Sequence, residues 1–437
     1  LAAPMPSARA AAADARKVLR VAFRSAETTF DPARISDLYS RVVTGHIFEN
    51  LYAYDHLARP VKVVPALADG MPEVSADFRV WTIRLKRGVF FADDPVFQGR
   101  RRELVAADVF YAYKRLVDPA NKSPAATGVL EEGIVGLEEL RKAALEARRP
   151  FDYDAPVAGM RVLDRYTLRF TLREPRPRFI TAQLTGGSLA GAQAREVVEH
   201  YGDAVGEHPV GTGPFRLKTW VRSSKIVVER NPSYREHVYD PQPGADDAEG
   251  QAMLARFKGR RLPMIDEVEV SIIEESQPLW LAFVNAEVDA LATQAGQLPP
   301  EFISIAAPNG KLAPHLARRG VRLARTVLAD SAFQYFNMED PVVGGYTPDK
   351  VALRRAISLA VDLEKVIRLP RRGQAVPAQG PVPPGTFGYD PAFRSEMSQH
   401  DLGRARALLD LYGYVDKDGD GWRDLPDGSP LVIEYTT

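Results

Sequence analysis

The segment Asp416-Lys417-Asp418-Gly419-Asp420-Gly421-Trp422-Arg423-Asp424 is the sharpest chemical pattern in the sequence. Asp at its first, third and fifth positions and Gly at the sixth have the spacing of a calcium loop. There, alternate carboxylates converge on one hard cation and the glycine permits a sharp turn. Asp424 falls at position nine; Asp427 falls at position twelve, where a shorter side chain replaces the usual bidentate Glu. The pattern predicts no second helix after the loop, and Pro430 to Tyr435 reads as a strand. The same residues suit a polar turn between a helix and that strand. Asp416, Asp418, Asp420, Asp424 and Asp427 are therefore candidate Ca2+ ligands and candidate turn residues alike.

Other reactive patterns fail on spacing. The sequence has no Gly-x-x-x-x-Gly-Lys-[Ser/Thr] phosphate loop and no His-Glu-x-x-His. Gly186-Gly187-Ser188-Leu189-Ala190 lacks the second glycine of a nucleophile elbow. The seven histidines are dispersed, with no pair on one helical turn. Gly211-Thr212-Gly213 does not continue as a dinucleotide fingerprint, because Arg216 stands at the third glycine. With zero cysteines, disulfides, thiolate zinc sites and cysteine nucleophiles are excluded. Nothing here requires an enzyme.

A chain of 437 residues exceeds one ordinary core, so two or three domains are expected. Lys+Arg and Asp+Glu both number 57, and this zero net charge supplies no global attraction to nucleic acid. No apolar run approaches the roughly 18 residues of a membrane-spanning helix. Residues 1–16, rich in Ala and carrying Ala8-Arg9-Ala10, read either as a signal-peptide remnant or as a low-complexity leader.

Positioning elements follow from periodicity. Val18 to Phe23 reads as a buried strand, Ile35 to Tyr52 as a helix, and Asp77 to Leu85 as an alternating strand. Ala106 to Leu116 carries a helical stripe, Tyr166 to Leu172 alternates, and Phe215 to Val221 with Lys225 to Arg230 predicts a hairpin. Glu267 to Ile273 is a further strand. Pro348 to Ile367 predicts a helix with Thr347 as cap and proline in the first turn, and Asp401 to Tyr412 another, stopped by Gly413. This mixture, without strict alternation, predicts α/β or α+β lobes and not an all-helical array.

In this order the motifs resemble the family 5 extracellular solute-binding proteins, the oligopeptide- and dipeptide-binding receptors of ABC importers. The landmarks run from Leu19-Arg20-Val21-Ala22 and Phe30-Asp31-Pro32 through Ile47-Phe48-Glu49-Asn50-Leu51-Tyr52 and Trp81-Thr82-Ile83-Arg84-Leu85. They continue with Arg115-Leu116-Val117-Asp118-Pro119, Gly211-Thr212-Gly213-Pro214-Phe215 and Asn231-Pro232-Ser233-Tyr234. Tyr335-Phe336-Asn337-Met338 and Arg354-Arg355-Ala356-Ile357-Ser358-Leu359-Ala360 complete the series.

The resemblance implies an α/β, bilobal periplasmic-binding-protein fold of class II type with an extra lobe. Lobe I would comprise 17–52 and 177–270, lobe II 53–176, and lobe III 271–437. In the family the chain continues past the strand equivalent to Leu431–Tyr435, so an incomplete third lobe is expected. The implied role is the substrate-binding subunit of an ABC importer that captures peptides by hinge closure and delivers them to the permease. The same fold also serves sugars, nickel complexes, haem and opines. A hydrolase on a related scaffold is the alternative of another class. By position, Ser25, Ala26, Glu27 and Thr28 would contact ligand, chiefly through backbone groups, and Tyr335 and Asn337 would begin the third lobe's wall. Asn337 also suits the turn before Pro341, Tyr335 also suits a core, and Gly211 to Phe215 reads as fold support. A soluble, periplasmic monomer of a Gram-negative bacterium, not lipid-anchored, is expected, with no nucleic acid partner and no cofactor beyond the candidate Ca2+.

Overall fold

A computed structural model describes residues 16–147, 150–186, 189–291, 298–386 and 388–436. The leader, apart from position 16, and the Gly187-Ser188 pair lie outside the described residues. Two compact units, Leu1–Gln297 and Leu298–Thr437, divide the chain.

In chain order, unit one begins with β1 (Val18–Phe23), α1 (Leu38–Thr44), β2 (Tyr52–Tyr54), β3 (Val63–Pro65), β4 (Glu73–Val74) and β5 (Val80–Arg84). Next come α2 (Ala106–Val117), α3 (Ala126–Glu131), α4 (Leu137–Ala147), β6 (Met160–Asp164) and β7 (Thr167–Thr171). It continues through α5 (Arg195–Tyr201), β8 (Phe215–Val221), β9 (Lys225–Arg230), α6 (Ala248–Phe257), β10 (Glu267–Ile272) and α7 (Ser276–Val284). Strands β1-β10-β9-β8 form one sheet, parallel only between β1 and β10; β4-β5-β7-β6 form another, antiparallel throughout.

Alternation explains what each sheet buries. On the second sheet Trp81, Ile83, Leu168 and Phe170 are buried in one cluster with Val109, Phe110, Tyr113 and Leu116 of α2. Phe170 sits at the centre of this cluster, its ring 5.1 Å from Phe110 and 5.3 Å from Phe179. On the first sheet Phe23, Phe215, Ile226, Val228 and Val270 are buried with Phe30, Val43, Ile47 and Phe48.

The helix predicted over Ile35 to Tyr52 is only seven residues long, Leu38–Thr44. Gly45 donates to Arg41 O and closes it. Beyond it the carbonyls of His46 and Ile47 accept from Phe215 N (3.1 Å) and Gly213 N (2.8 Å), so the chain turns to meet the hairpin.

Unit two contains α8 (Ile303–Ala306), α9 (Pro314–Ala317), α10 (Pro348–Ala360), α11 (Leu363–Arg368) and α12 (Leu402–Leu411). The single helix predicted over Pro348 to Ile367 is two. Val361 takes an extended conformation and Asp362 caps a fresh start by accepting from Lys365 N (2.8 Å). Thr347 occupies the cap position of α10, but its hydroxyl makes no capping bond. Helices α10 and α12 pack through Ala356, Leu359 and Ala405. The strand predicted over Pro430 to Tyr435 is not formed; a bridge between Pro430 and Asp424 is its one ladder contact among the described residues.

Candidate ligand-binding segment

β1 and β10 are parallel, so their carboxyl ends lie on one side of the sheet, the side on which open α/β sheets bind ligands. Residues 24–31 cross this side, tied at the near end by Arg24 Nη2, which donates to Ser276 Oγ of α7 at 2.9 Å, and further along by partners on other elements. At the far end Asp31 receives two bonds from Arg115 of α2, at 2.7 and 2.9 Å, with both side chains buried. Asp31 Oδ1 also accepts from Ala33 N at 3.1 Å.

Glu27 fixes the middle. Its side chain is buried, and Oε1 accepts from the Trp220 indole and from Ser223 N (3.1 Å), tying the segment to the tip of the β8–β9 hairpin. Phe30 packs on Trp220 at 4.5 Å, and the Arg222 guanidinium covers the Trp220 ring at 4.3 Å. Thr28 N donates to Ser40 Oγ (3.0 Å), and the Thr28 hydroxyl donates to Asp37. Asp37 in turn caps α1 through Ser40 N at 2.7 Å.

Between these anchors, the backbone groups of Ser25, Ala26 and Glu27 make no hydrogen bond among the described residues. Ser25 and Thr28 are exposed and Ala26 is half-buried. The arrangement is a short length of backbone outside the sheet, tied from behind by side-chain contacts, with free donors and acceptors. Such an edge can pair with the backbone of another extended chain.

The Asp37 carboxylate makes the start of α1 sensitive to acid. Burial opposes its charge, yet bonds from Ser40 N–H and from the Thr28 and Ser40 hydroxyls hold its pKa below the ordinary value. A lowered folded-state value contributes stability that is present above the unfolded pKa of about 3.9 and lost as pH falls through the folded one. The stability gap between parent and Asp37→Asn is therefore expected to be full at neutral pH and to close below about pH 3.9. Urea titrations across the acid range would measure it; a gap constant with pH would refute the assignment.

Tyr335 and Asn337 lie in unit two on a stretch that is neither helix nor strand. Tyr335 is 83% exposed, with Phe333 as ring neighbour at 6.4 Å, so it is no core residue. Asn337 shapes the following turn, its Oδ1 accepting from Glu339 N (3.1 Å) and its carbonyl from Asp340 N (3.2 Å). Gly211 to Phe215 packs against the end of α1: a Cβ on Gly211 would lie 2.0 Å from Ile47 O. Sequence reasoning missed Asp37, Ser40, Trp220, Arg222 and Ser223 as partners of the segment. An Asp three residues before Ser40 was the available signal for the cap.

In unit two, the carboxylates of Asp416, Asp418 and Asp420 come within 4.8 Å of one another and are exposed. Asp416 accepts from Gly419 N (2.6 Å) and Gly421 N (2.9 Å), curling the loop around itself. The other two candidates point elsewhere. Asp424 is buried and accepts from Lys417 N (2.8 Å), while Asp427 accepts from Ser429 N and Oγ (2.9 and 2.6 Å).

The family model for bacterial extracellular solute-binding proteins, family 5 Middle, matches residues 62–437. The chain belongs to this family. Among relatives of this family 5 protein, Di/tripeptide-binding protein 2 of Pseudomonas aeruginosa is 27% identical over 399 residues. That match covers 90% of this chain and 63% of the relative. Periplasmic oligopeptide-binding protein OppA of Salmonella typhimurium is 28% identical over 392 residues, covering 89% of this chain and 61% of OppA. The family 5 chain thus spans less than two thirds of these relatives' length. In fold it is similar to the periplasmic binding protein DppA of Helicobacter pylori, solved with the peptide STSA. The TM-score is 0.64 and the identity 22%, over 91% of this chain and 67% of that one. Haemophilus influenzae OppA, solved with RPPGFSPFR, gives 0.60 and 21%, over 92% and 68%. No helix among the described residues of the family 5 protein is long and apolar enough to cross a membrane.

Proposed function

We propose that this chain captures peptides for an ABC importer, as the periplasmic substrate-binding subunit that delivers them to the membrane permease. The observation that carries this reading is the free backbone of Ser25 to Glu27 at the carboxyl end of β1, in a chain of a solute-binding family. A peptide lying extended along it would be held mainly by main-chain hydrogen bonds, which depend little on side-chain identity. Closure over the ligand would follow from tighter binding to the closed form. A dissociation constant near 1 μM requires about −8.2 kcal/mol. The relatives are named as binding proteins for peptides, which supports a non-catalytic, peptide-directed role over the hydrolase and non-peptide alternatives. The division into lobes at 17–52 with 177–270, 53–176 and 271–437, a monomeric state, and contributions from Tyr335 and Asn337 belong to the same proposal.

Thermal unfolding of the chain with a mixed di- to pentapeptide library tests it. At 100-fold over the dissociation constant a stabilisation of about 2.7 kcal/mol is expected. A flat response across the library, with sugars or metal chelates raising the midpoint instead, would turn the proposal to a non-peptide solute.

A lesser proposal concerns calcium. With Asp424 and Asp427 engaged elsewhere, the convergence of Asp416, Asp418 and Asp420 supports only weak binding, in the range of about 10⁻⁴ to 10⁻³ M found in extracellular modules. Calorimetry is expected to give a small calcium heat that Asp418→Ala removes; no heat in the parent ends the idea.

A further inference from the structure

Unit two contains an open cavity of about 620 Å³, within the usual size range of small-molecule sites. Ile303, Ala307, Ile367 and Pro377 give it an apolar wall, and Arg368 and Arg372 stand on its lining. A third arginine borders it. Arg325 Nη2 donates to Gly373 O at 3.3 Å, and a Cβ on Gly310 would meet Arg325 Nη1 at 2.9 Å; both glycines line the cavity. None of the three guanidinium groups has a carboxylate oxygen within 4.0 Å among the described residues. Glu364 also lines the cavity, four residues before Arg368 on the same helix, yet makes no ion pair with it.

Three unpaired guanidinium groups beside an apolar wall select a ligand with two properties. The planar fork of arginine suits a carboxylate or phosphate, and the wall suits a hydrocarbon body. We propose that unit two holds a binding site for a small organic anion of this kind. Its acid group faces Arg368 and Arg372, and its apolar body lies against Ile303, Ala307 and Ile367. The site stands apart from the peptide reading, since it rests on residues of unit two alone.

Calorimetry on the 437-residue chain with octanoate as probe tests the site, with inorganic phosphate as an anion lacking the apolar body. Saturable one-to-one octanoate binding is expected, weaker at high salt. The Arg368→Ala/Arg372→Ala double variant should bind about tenfold more weakly at an unchanged unfolding midpoint. The Arg368→Lys/Arg372→Lys pair, which keeps the charge without the fork, should fall between the parent and the double Ala variant. Ser304→Trp, placed at an exposed lining position, should block the cavity and abolish binding. The proposal is overturned by absence of saturable octanoate binding, by full affinity in the double Ala variant or in Ser304→Trp, or by phosphate binding as tightly as octanoate.

Discussion

Arg115→Ala should destabilise unit one by about 3–5 kcal/mol, the cost of leaving a buried charge without its partner. Asp31 and Arg115 are 2% and 3% exposed, and their two bonds of 2.7 and 2.9 Å cross from the candidate ligand segment to α2. Without the guanidinium, Asp31 keeps the Ala33 amide at 3.1 Å and the partly exposed Arg34 at 3.7 Å. Neither replaces a bidentate ion pair in a dry site. Asn121, whose side-chain amide donates to Arg115 O at 2.9 Å, would be affected little, because that bond uses the backbone. The double variant Asp31→Asn/Arg115→Met should recover much of the loss, since removing both charges also removes the burial penalty. Urea titrations of the parent, Asp31→Asn, Arg115→Met and the double variant measure the coupling. Additive losses would show that the pair contributes nothing beyond its separate groups.

Gly211→Ala is the second large effect. The clash is with backbone: the added Cβ would stand 2.0 Å from Ile47 O and 2.7 Å from its carbonyl carbon. Gly213 N donates to that same Ile47 carbonyl at 2.8 Å, so relieving the clash breaks the bond that seats the start of the hairpin on the turn after α1. The expected loss is at or above the top of the roughly 1–3 kcal/mol range for overpacking. Gly128→Ala supplies a control of opposite sign. It is helical, a Cβ there meets nothing within 4 Å, and the change should stabilise by about 0.4–1 kcal/mol. Thermal unfolding of both variants decides; equal midpoints would contradict the packing role given to Gly211 to Phe215.

Local patterning made much of the fold legible. The apolar run over Val18 to Phe23 and the two runs of the hairpin, Phe215 to Val221 and Lys225 to Arg230, predict strands with the bounds observed. Where prediction and structure part, a distant partner decides. The residues after Gly45 have helical periodicity, yet His46 and Ile47 give their carbonyls to a hairpin nearly 170 residues away. At Val361-Asp362 a carboxylate able to cap a new helix outcompetes continuation of the old one. Pro430 to Tyr435 has strand composition, but composition cannot supply a neighbouring strand. The candidate segment shows the same division. Its position at the end of β1 could be placed by family resemblance, whereas the inward turn of Glu27 depends on Trp220 and Ser223, far along the chain. The spacing Asp416-x-Asp418-x-Asp420 did predict convergence. It could not show that Asp424 would turn to the Lys417 amide.

The backbone of Ser25 to Glu27 is the part of the chain proposed to pair with bound peptide. Amide hydrogen exchange of this segment, with and without a saturating peptide from the library, tests it most directly. The amides of Ser25, Ala26 and Glu27 are expected to exchange rapidly in the free protein and to become protected when peptide is added. Saturable peptide binding that leaves these amides exchanging at their free rates would contradict it.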